Sequence, residues 1–323
     1  MGDVVSSLLF QPPPPTPVRE SKLIWFETKI GTRIPAFFME HKSRPKQTII
    51  YSHANAEDLG SVYPWVKFLC KSLQVNVLAY DYSGYGLSRT DAPPSEENCY
   101  ADIDAAYQYL TEVRQIKSSN IILYGRSLGS GPSCYLASRT SDEGSPVGGL
   151  ILHAPFLSVF RVVLESGCTL YGDKFPNVDF APGIRCPVLI IHGTLDKIVP
   201  IRHGENLLLA VAEEFRAKPL FIEGMGHNHV NSRLRPLFVE RVTDYLDAHV
   251  RNNGNGSKSG WRSKVKPLNV CDMMKPISPT FKDSSSATVQ YIHEDYHYDK
   301  ACEDEIVRLR EDYRKKRKSG CRQ

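Results

Sequence analysis

The sequence predicts an α/β fold: a mostly parallel central sheet with helices on both faces. Short apolar segments and longer amphipathic segments alternate from residue 48 to residue 250, which is the order that repeated βα units produce. The short segments are apolar without polar alternation, as is typical of strands buried on both faces. A chain of 323 residues is long enough for one such domain with further segments at its ends.

The elements of this fold follow one another along the chain. Two apolar runs within 22–40 flank a Lys-Ile-Gly-Thr turn and predict an opening β-hairpin. The apolar strands of the parallel sheet are predicted at 48–53, 75–80, 120–124, 149–153, 187–192 and 219–223. Helices, in which apolar residues recur at helical spacing, are predicted at 59–73, 96–116, 131–139, 203–215 and 234–250.

Residues 155–182 interrupt the alternation. The segment contains aromatic residues without strand periodicity: Phe156, Phe160, Tyr171, Phe175 and Phe180. An insertion after a strand of a parallel sheet lies on the side where such folds bind ligands. Two interpretations are open: a small lid over the site, or a surface loop that packs its own aromatic side chains.

The composition divides the chain into three parts. Residues 1–20 carry a proline run, 21–250 carry the α/β pattern, and 251–323 are polar and basic and predict a flexible tail. Residues 1–250 hold 24 basic and 26 acidic side chains, whereas 251–323 hold 16 and 10. The basic character therefore belongs to the tail, and the body is not expected to bind nucleic acid.

Several other classes are excluded on the same grounds. No stretch approaches the ~18 apolar residues of a transmembrane helix. The eight cysteines form no CxxC pair and no zinc-like cluster with histidine, so we expect reduced thiols and no metal site. A secretory signal is not expected, because Gly2 and Asp3 stand where a basic region would be.

The clearest motif for chemistry is Gly125-Arg126-Ser127-Leu128-Gly129, a G-x-S-x-G sequence. A predicted strand precedes it and a helix rich in small residues follows it, which is the context of a nucleophile elbow in an α/β-hydrolase fold. Glycines two residues before and after the serine allow the tight turn. Ser127 is therefore the candidate nucleophile.

A serine nucleophile needs a general base and an orienting acid, which in this architecture follow in the order serine, acid, histidine. Asp196 lies just after the predicted strand 187–192, and His227 follows the strand 219–223 in a Gly-Met-Gly-His sequence. Both fall at carboxyl ends of strands, so Asp196 and His227 are the candidate acid and base. Weaker candidates are Asp173, Asp179, Glu223 and His229, whereas His53, His153 and His192 are expected to bond to neighbouring loops.

Attack on a carbonyl creates an oxyanion, which needs fixed hydrogen-bond donors. The backbone N–H of Leu128, directly after the nucleophile, is the first candidate. The second comes from the loop after strand 48–53, where Asn55 is preferred and Ala54 is the alternative. This chemistry requires neither a metal nor an organic cofactor.

These motifs closely resemble the α/β-hydrolase domain-containing 17 family. The resemblance covers roughly residues 18–250 and includes Tyr51–Gly60, Tyr80–Gly86, Tyr100–Ala106 and Ile121–Gly129, together with the segments that carry Asp196 and His227. Members of that family are serine hydrolases that remove palmitate from S-acylated proteins at membranes. The resemblance implies that Ser127, Asp196 and His227 form the catalytic triad.

The sequence departs from the family pattern at three places. Ala54 replaces the glycine of the usual His-Gly-Asn, and Arg126 stands where a neutral residue is more usual. The N-terminal cysteine cluster, which anchors animal members to membranes when palmitoylated, is missing, since residues 1–69 contain no cysteine.

A different lipid signal occupies the N-terminus. Gly2 with Ser6 fits the N-myristoylation pattern. One myristoyl chain binds membranes weakly, so a second signal is expected. Candidates are insertion of residues 8–10, the basic run 314–318 near an anionic leaflet, and palmitoylation of Cys321. The proline run would then act as an extended spacer.

These observations together predict a serine hydrolase that removes long-chain acyl groups from S-palmitoylated membrane proteins. It would work at the cytoplasmic face of the plasma membrane or endosomes, held there through its N-terminal lipid. The aromatic residues of 155–182, with Tyr82 and Tyr85, are expected to line the acyl groove. Two alternatives are open: an esterase or lipase acting on small lipid esters, and a noncatalytic membrane-tethered binding protein.

Overall fold

The computed structural model describes residues 9–19, 22–88, 92–163, 171–228 and 230–251. Within these ranges the chain forms one eight-stranded sheet with the order β1-β2-β4-β3-β5-β6-β7-β8. The pairs β1–β2 and β2–β4 are antiparallel, and the remaining pairs are parallel. The predicted α/β fold with a mostly parallel sheet is confirmed.

The strands lie close to their predicted positions because runs of buried apolar residues define them. Every residue of the four central strands β3, β4, β5 and β6 is buried. The strands are β1 Ile24–Glu27, β2 Arg33–Met39, β3 Thr48–Ser52, β4 Asn76–Tyr80, β5 Ile121–Arg126, β6 Gly149–His153, β7 Val188–Gly193 and β8 Leu220–Ile222.

Helices connect the parallel strands. The helix after β3 begins with a capping box, in which Asp58 accepts the Ser61 N–H and the Ser61 side chain accepts the Asp58 N–H. The helices are α1 Leu59–Leu73, α2 Glu96–Gln108, α3 Ser130–Asp142, α4 Val159–Val163, α5 Asn177–Phe180, α6 Arg202–Ala210 and α7 Arg235–Tyr245.

Three predicted α-helices are shorter than expected, one of them α7, which was predicted to reach residue 250 but gives way to a π-helical turn at Leu246–Arg251. The prediction extended the second helix to residue 116, but α2 gives way to a π-helical turn at Tyr109–Val113. The wider turn keeps Leu110 buried, while Val113 is exposed. The prediction also extended α6 to residue 215, yet the chain leaves the helix at Val211 and forms a separate 3-10 turn at Glu213–Phe215.

The sheet separates two apolar layers. One layer contains side chains of α2, α3 and α6, and the other contains side chains of α1 and α7. This is the two-sided packing that makes the central strands continuously apolar. None of the helices in the described ranges combines the length and apolar character needed to cross a membrane.

The sheet domain runs from β1 to a π-helical turn at Leu246–Arg251. The predicted boundaries at residues 20 and 250 stay predictions. Of the N-terminal segment, the structure describes 9–19, and the predicted basic tail lies almost wholly outside the described residues.

Candidate active site

Ser127, His227 and Asp196 lie together at the carboxyl edge of the sheet. Ser127 directly follows β5, Asp196 lies in the loop after β7, and His227 lies in the loop after β8. The His227 Nε2 atom is 2.9 Å from Ser127 Oγ, and His227 Nδ1 is 2.7 Å from Asp196 Oδ2. Side chains separated by 100 and 31 residues therefore form one continuous hydrogen-bonded chain.

The chemistry of the partners fixes where the protons lie. An ionised carboxylate can only accept, so the proton between His227 and Asp196 belongs to His227 Nδ1. In the neutral imidazole, Nε2 is then the acceptor, and the Ser127 hydroxyl donates to it. This is the arrangement in which an imidazole takes the proton of an attacking serine.

Asp196 is held in place by its own loop. Its Oδ1 accepts the N–H groups of Ile198 at 3.0 Å and Val199 at 2.8 Å, which leaves Oδ2 for His227. Burial alone would raise the pKa of Asp196, but the His227 imidazole and hydrogen bonds from His227 and His192 hold that pKa well below its usual range. The acid therefore stays ionised as the partner of the imidazole.

The turn at Ser127 has the geometry of a nucleophile elbow. Ser127 has a φ of 48°, in the left-handed region that costs a non-glycine residue about 1–2 kcal/mol. The flanking glycines permit close approaches: a Cβ at Gly129 would collide with the Ser52 carbonyl oxygen, and one at Gly125 with the Gly129 carbonyl oxygen. The Ser130 hydroxyl donates to the Ser127 carbonyl at 2.7 Å and closes the turn.

The loop that carries His227 also depends on glycine. Of the two glycines that precede His227, Gly224 has a positive φ, of 75°, and Gly226 does not. A Cβ at Gly226 would meet no atom within 4 Å. The tight position is Gly193 at the end of β7, where a Cβ would collide with the backbone of Met225.

The loop after β3, which we call the oxyanion loop (residues 53–57), contains the predicted second oxyanion donor. The Ala54 N–H donates to Glu57 Oε2 at 2.8 Å and is therefore already engaged. This favours Asn55 over Ala54 as the donor. The oxyanion roles of Asn55 and Leu128, like the catalytic roles of the triad, stay predictions.

Tyr82 and Tyr85 support the oxyanion loop instead of lining an open groove. Both are fully buried. The Tyr82 hydroxyl donates to the His53 carbonyl at 2.7 Å, and the Tyr85 hydroxyl donates to Asn55 Oδ1 at 2.6 Å. The expectation that these two rings face an acyl chain is not met in this structure, because their polar ends hold the loop.

The insertion 155–182 packs largely against the domain. Phe175 is fully buried and lies against Gly131 at the start of α3, and its ring contacts those of Tyr100 and Phe156. Tyr171, by contrast, is fully exposed. Residues 164–170, the middle of the insertion, lie outside the described ranges.

The N-terminal segment lies on the oxyanion loop. Asn55 Nδ2 donates to the Leu9 carbonyl at 2.6 Å, and Asn55 Oδ1 accepts the Gln11 N–H at 3.0 Å. Phe10 between them is 5% exposed and packs edge-on against Phe175. The expectation that Phe10 inserts into a membrane is wrong for this structure, because its ring is part of the core.

The proline run is likewise not a free spacer. Pro13 is buried, the Thr16 N–H donates to Asp58, and a Cβ at Gly60 would collide with Thr16. Gly2, Cys321 and the basic run 314–318 lie outside the described residues, as does His229.

The other candidate residues bond to loops. His192 Nε2 is 2.8 Å from the Val199 carbonyl and 3.3 Å from Asp196 Oδ2, so it supports the acid loop. His153 bonds Tyr124, and Asp173 accepts two backbone N–H groups of the insertion. Among the described residues, no group of three or more His, Cys, Asp or Glu side chains is arranged to hold a metal ion.

Comparison with known proteins agrees with this fold. The family model for the alpha/beta hydrolase fold matches residues 47–166. The solved structure of the Pyrococcus furiosus esterase Pf2001 superposes with a TM-score of 0.58 at 16% identity, over 74% of this chain and 100% of that one. At that identity the likeness concerns the fold alone.

Curated relatives are more similar. The chain is 38% identical to human alpha/beta hydrolase domain-containing protein 17B over 70% of this chain and 75% of the relative. It is 35% identical to mouse protein 17C over 72% and 69%. It is 34% identical to the Caenorhabditis elegans alpha/beta hydrolase domain-containing protein aho-3 over 76% and 78%. With this fold and these relatives, the chain is a hydrolase that belongs to the α/β-hydrolase domain-containing 17 family.

Proposed function

We propose that the protein is a serine hydrolase that cleaves long-chain acyl thioesters, palmitoyl above all, from S-acylated proteins. The observation that supports this most strongly is the hydrogen-bonded chain from Ser127 through His227 to Asp196. The substrate class rests on the family, whose members remove palmitate from proteins.

In the proposed reaction, Ser127 Oγ attacks the thioester carbonyl carbon while His227 Nε2 takes the hydroxyl proton. The carbonyl oxygen becomes an oxyanion, which the N–H groups of Leu128 and Asn55 bind. The carbon–sulfur bond then breaks, and His227 gives its proton to the leaving cysteine thiolate. Water, deprotonated by the same imidazole, hydrolyses the acyl-serine ester and releases the fatty acid.

The proposed site of action is the cytoplasmic face of a membrane, reached through a myristoyl group on Gly2. Because Phe10 is in the core, the second membrane signal has to come from elsewhere, and the basic run 314–318 with Cys321 is the remaining candidate. Each basic side chain near an anionic leaflet contributes about 1 kcal/mol.

The first prediction concerns Ser127→Ala, which removes the nucleophile. The variant is expected to lose labelling by a fluorophosphonate and hydrolysis of a palmitoyl-thioester peptide, because it lacks the hydroxyl that is bonded to His227 Nε2. Intact mass spectrometry of the wild type during turnover is expected to show one palmitoyl group on Ser127.

Three outcomes distinguish the alternatives. A labelled Ser127→Ala variant contradicts the assignment of the nucleophile. A wild type that labels but turns over monoacylglycerol and not the thioester peptide identifies a lipid esterase. A wild type that does not label at all identifies a noncatalytic protein.

A further inference from the structure

A buried ion pair connects the three loops of the candidate active site. Arg126, the last residue of β5, is bound through its Nη1 atom to Glu57 Oε1 at 2.5 Å. Its Nη2 donates to the backbone carbonyl of His227 at 3.3 Å. The second oxygen of Glu57, Oε2, accepts the Ala54 N–H at 2.8 Å. The side chains of Arg126 and Glu57 are only 4% and 14% exposed.

One of these contacts, from Arg126 to His227, joins the ends of strands that are not neighbours in the sheet. The oxyanion loop follows β3, the nucleophile follows β5, and the histidine loop follows β8, which is three strands away from β5. Neighbouring strands are about 4.8 Å apart, so the ends of β5 and β8 are separated by roughly 14 Å. The loop after β8 brings His227 back toward β5, and Arg126 holds that loop by donating to the His227 backbone carbonyl.

The consecutive residues Arg126 and Ser127 thus contact the same histidine at two points. Arg126 holds the His227 carbonyl, and Ser127 binds the His227 ring. At the same time, Glu57 bends the oxyanion loop by occupying the Ala54 N–H, which leaves Asn55 as the next donor along the chain.

A buried ion pair adds little to the net free energy of folding. Removing two charges from water costs about as much as their attraction returns, and an apolar pair of similar volume is often no less stable. Charge-assisted hydrogen bonds, however, fix geometry more tightly than apolar contacts do. The benefit of this pair is therefore expected in the alignment of the site.

We propose that Glu57 and Arg126 are positioning residues that hold the oxyanion loop and the histidine loop in register with Ser127. The contacts described for both side chains are with each other and with backbone groups of the two loops, so both act through the groups they hold. This inference rests on the proposed serine hydrolase function and identifies two residues that serve it.

The test compares Glu57→Gln, Arg126→Met and the double variant with the wild type. Each single variant is expected to lower kcat by about 10- to 100-fold, since misplacement of a reacting group by about 1 Å costs on that order, with KM changed by less than about threefold. The double variant is expected to lose no more than the worse single variant, because both substitutions break the same bridge.

Arg139→Met is the matched control. Arg139 lies near the far end of α3, where it is ion-paired with Asp104 at 3.2 Å and Glu143 at 2.6 Å. The substitution removes an arginine from an ion pair remote from Ser127, and kcat is expected to stay within about twofold of the wild-type value.

Single variants with wild-type kcat, or losses that multiply in the double variant, overturn the proposal. A single variant can fail to fold because it leaves one buried charge unpaired. In that case the double variant is the test, and a double variant with wild-type kcat overturns the proposal. Fluorophosphonate labelling rates are read on the same samples. A wild type that is labelled but does not cleave the thioester contradicts the proposed substrate. In that case the labelling rates of the variants still test whether Glu57 and Arg126 position the site.

Discussion

Asp196 makes hydrogen bonds of two kinds, one within its own loop and one to His227. Its Oδ1 accepts two backbone N–H groups and its Oδ2 accepts the His227 ring N–H, so each oxygen has a separate task. The first fixes the carboxylate in space, and the second fixes the tautomer of the imidazole. A neutral amide can perform the first task but not the second.

Asp196→Asn is therefore expected to keep the fold and lose the reaction. The amide oxygen can still accept the N–H groups of Ile198 and Val199. Its NH2 group, facing His227 Nδ1, favours the tautomer with the proton on Nε2, which cannot take a proton from Ser127. The expected loss in kcat is on the order of 10³- to 10⁴-fold, measured with a palmitoyl-thioester peptide.

The matched control is Asp173→Asn in the insertion. Asp173 also accepts two backbone N–H groups, from Phe160 and Lys174 at 2.8 Å each. It was a weaker candidate for the acid and is not bonded to His227. Its variant is expected to keep kcat within about threefold, and an Asp196→Asn variant as active as this control would contradict the assigned acid.

At the scale of elements, the turn between β5 and α3 is the least tolerant part of the site. It combines a positive φ at Ser127 with two close backbone approaches, at Gly125 and Gly129. The close approach at Gly129 is to the carbonyl of Ser52 at the end of β3, the strand next to β5. A side chain there would push two neighbouring strand ends apart.

Gly129→Ala is expected to destabilise the protein and to inactivate it. The new Cβ would collide with the Ser52 backbone, which cannot yield as a flexible side chain could. Overpacking of this kind costs about 1–3 kcal/mol, and the displaced oxyanion loop is expected to lower kcat at least 100-fold. Thermal unfolding and turnover would be measured together.

Gly226→Ala gives the comparison for stability, because a Cβ at that position meets nothing within 4 Å. It is expected to shift the unfolding temperature by less than Gly129→Ala does. Equal destabilisation by the two variants would show that the backbone near Ser52 can move and that the elbow is less constrained than its geometry indicates.

At the scale of the whole molecule, stability depends on a carboxyl group outside the candidate active site. Asp102 on α2 is fully buried, and its two oxygens bind the N–H and the hydroxyl of Ser83 at 2.8 Å each. The Ser83 hydroxyl also lies 2.9 Å from the Thr32 hydroxyl. The Asp102 carboxyl group is therefore held inside the core by a short hydrogen-bonded network.

Burial raises the pKa of Asp102 to about 7, whereas an unfolded aspartate has a pKa of about 3.9. A group whose pKa is raised by folding stabilises the protein fully below the unfolded value and loses that contribution as the pH rises through the folded value. The loss therefore falls between about pH 4 and pH 7. Each unit of difference between the folded and unfolded pKa values corresponds to about 1.4 kcal/mol in the free energy of unfolding.

Asp102→Asn removes this ionisation and is expected to gain stability relative to the wild type as the pH rises. The difference in unfolding temperature, variant minus wild type, should increase between pH 5 and pH 8. Asp142→Asn, at an exposed aspartate in the last turn of α3, is the control and should show little change. A difference for Asp102→Asn that is independent of pH would contradict an ionisation of Asp102 in this range.

The sequence was sufficient to predict the strands of the sheet and to select three side chains that meet at its carboxyl edge. Apolar runs locate strands such as β3 because both faces are buried, and the order of Ser127, Asp196 and His227 follows from the positions of strand ends. The pair Glu57–Arg126 could not be found in the same way. Its partners are 69 residues apart, and only the folded sheet brings them together, although an arginine beside the nucleophile was a visible signal.

Phe10 illustrates the opposite limit. In the sequence, an apolar residue near a terminus looks the same whether it enters a membrane or the core. The contact of Phe10 with Phe175 in the folded structure distinguishes the two cases. The π-helical turn after α2 was missed for a related reason, since the apolar spacing through Leu110 continues past the point where the backbone widens.

The position of the N-terminal segment on the oxyanion loop has a mechanical consequence. Leu9 and Gln11 each bond to Asn55, and Phe10 between them packs against Phe175, so a pull on the chain ahead of residue 9 acts on the oxyanion loop and on the core together. A tether placed ahead of residue 9 pulls directly on the loop that would receive the oxyanion. A fusion tag at the N-terminus is therefore expected to lower turnover more than a tag at the opposite end.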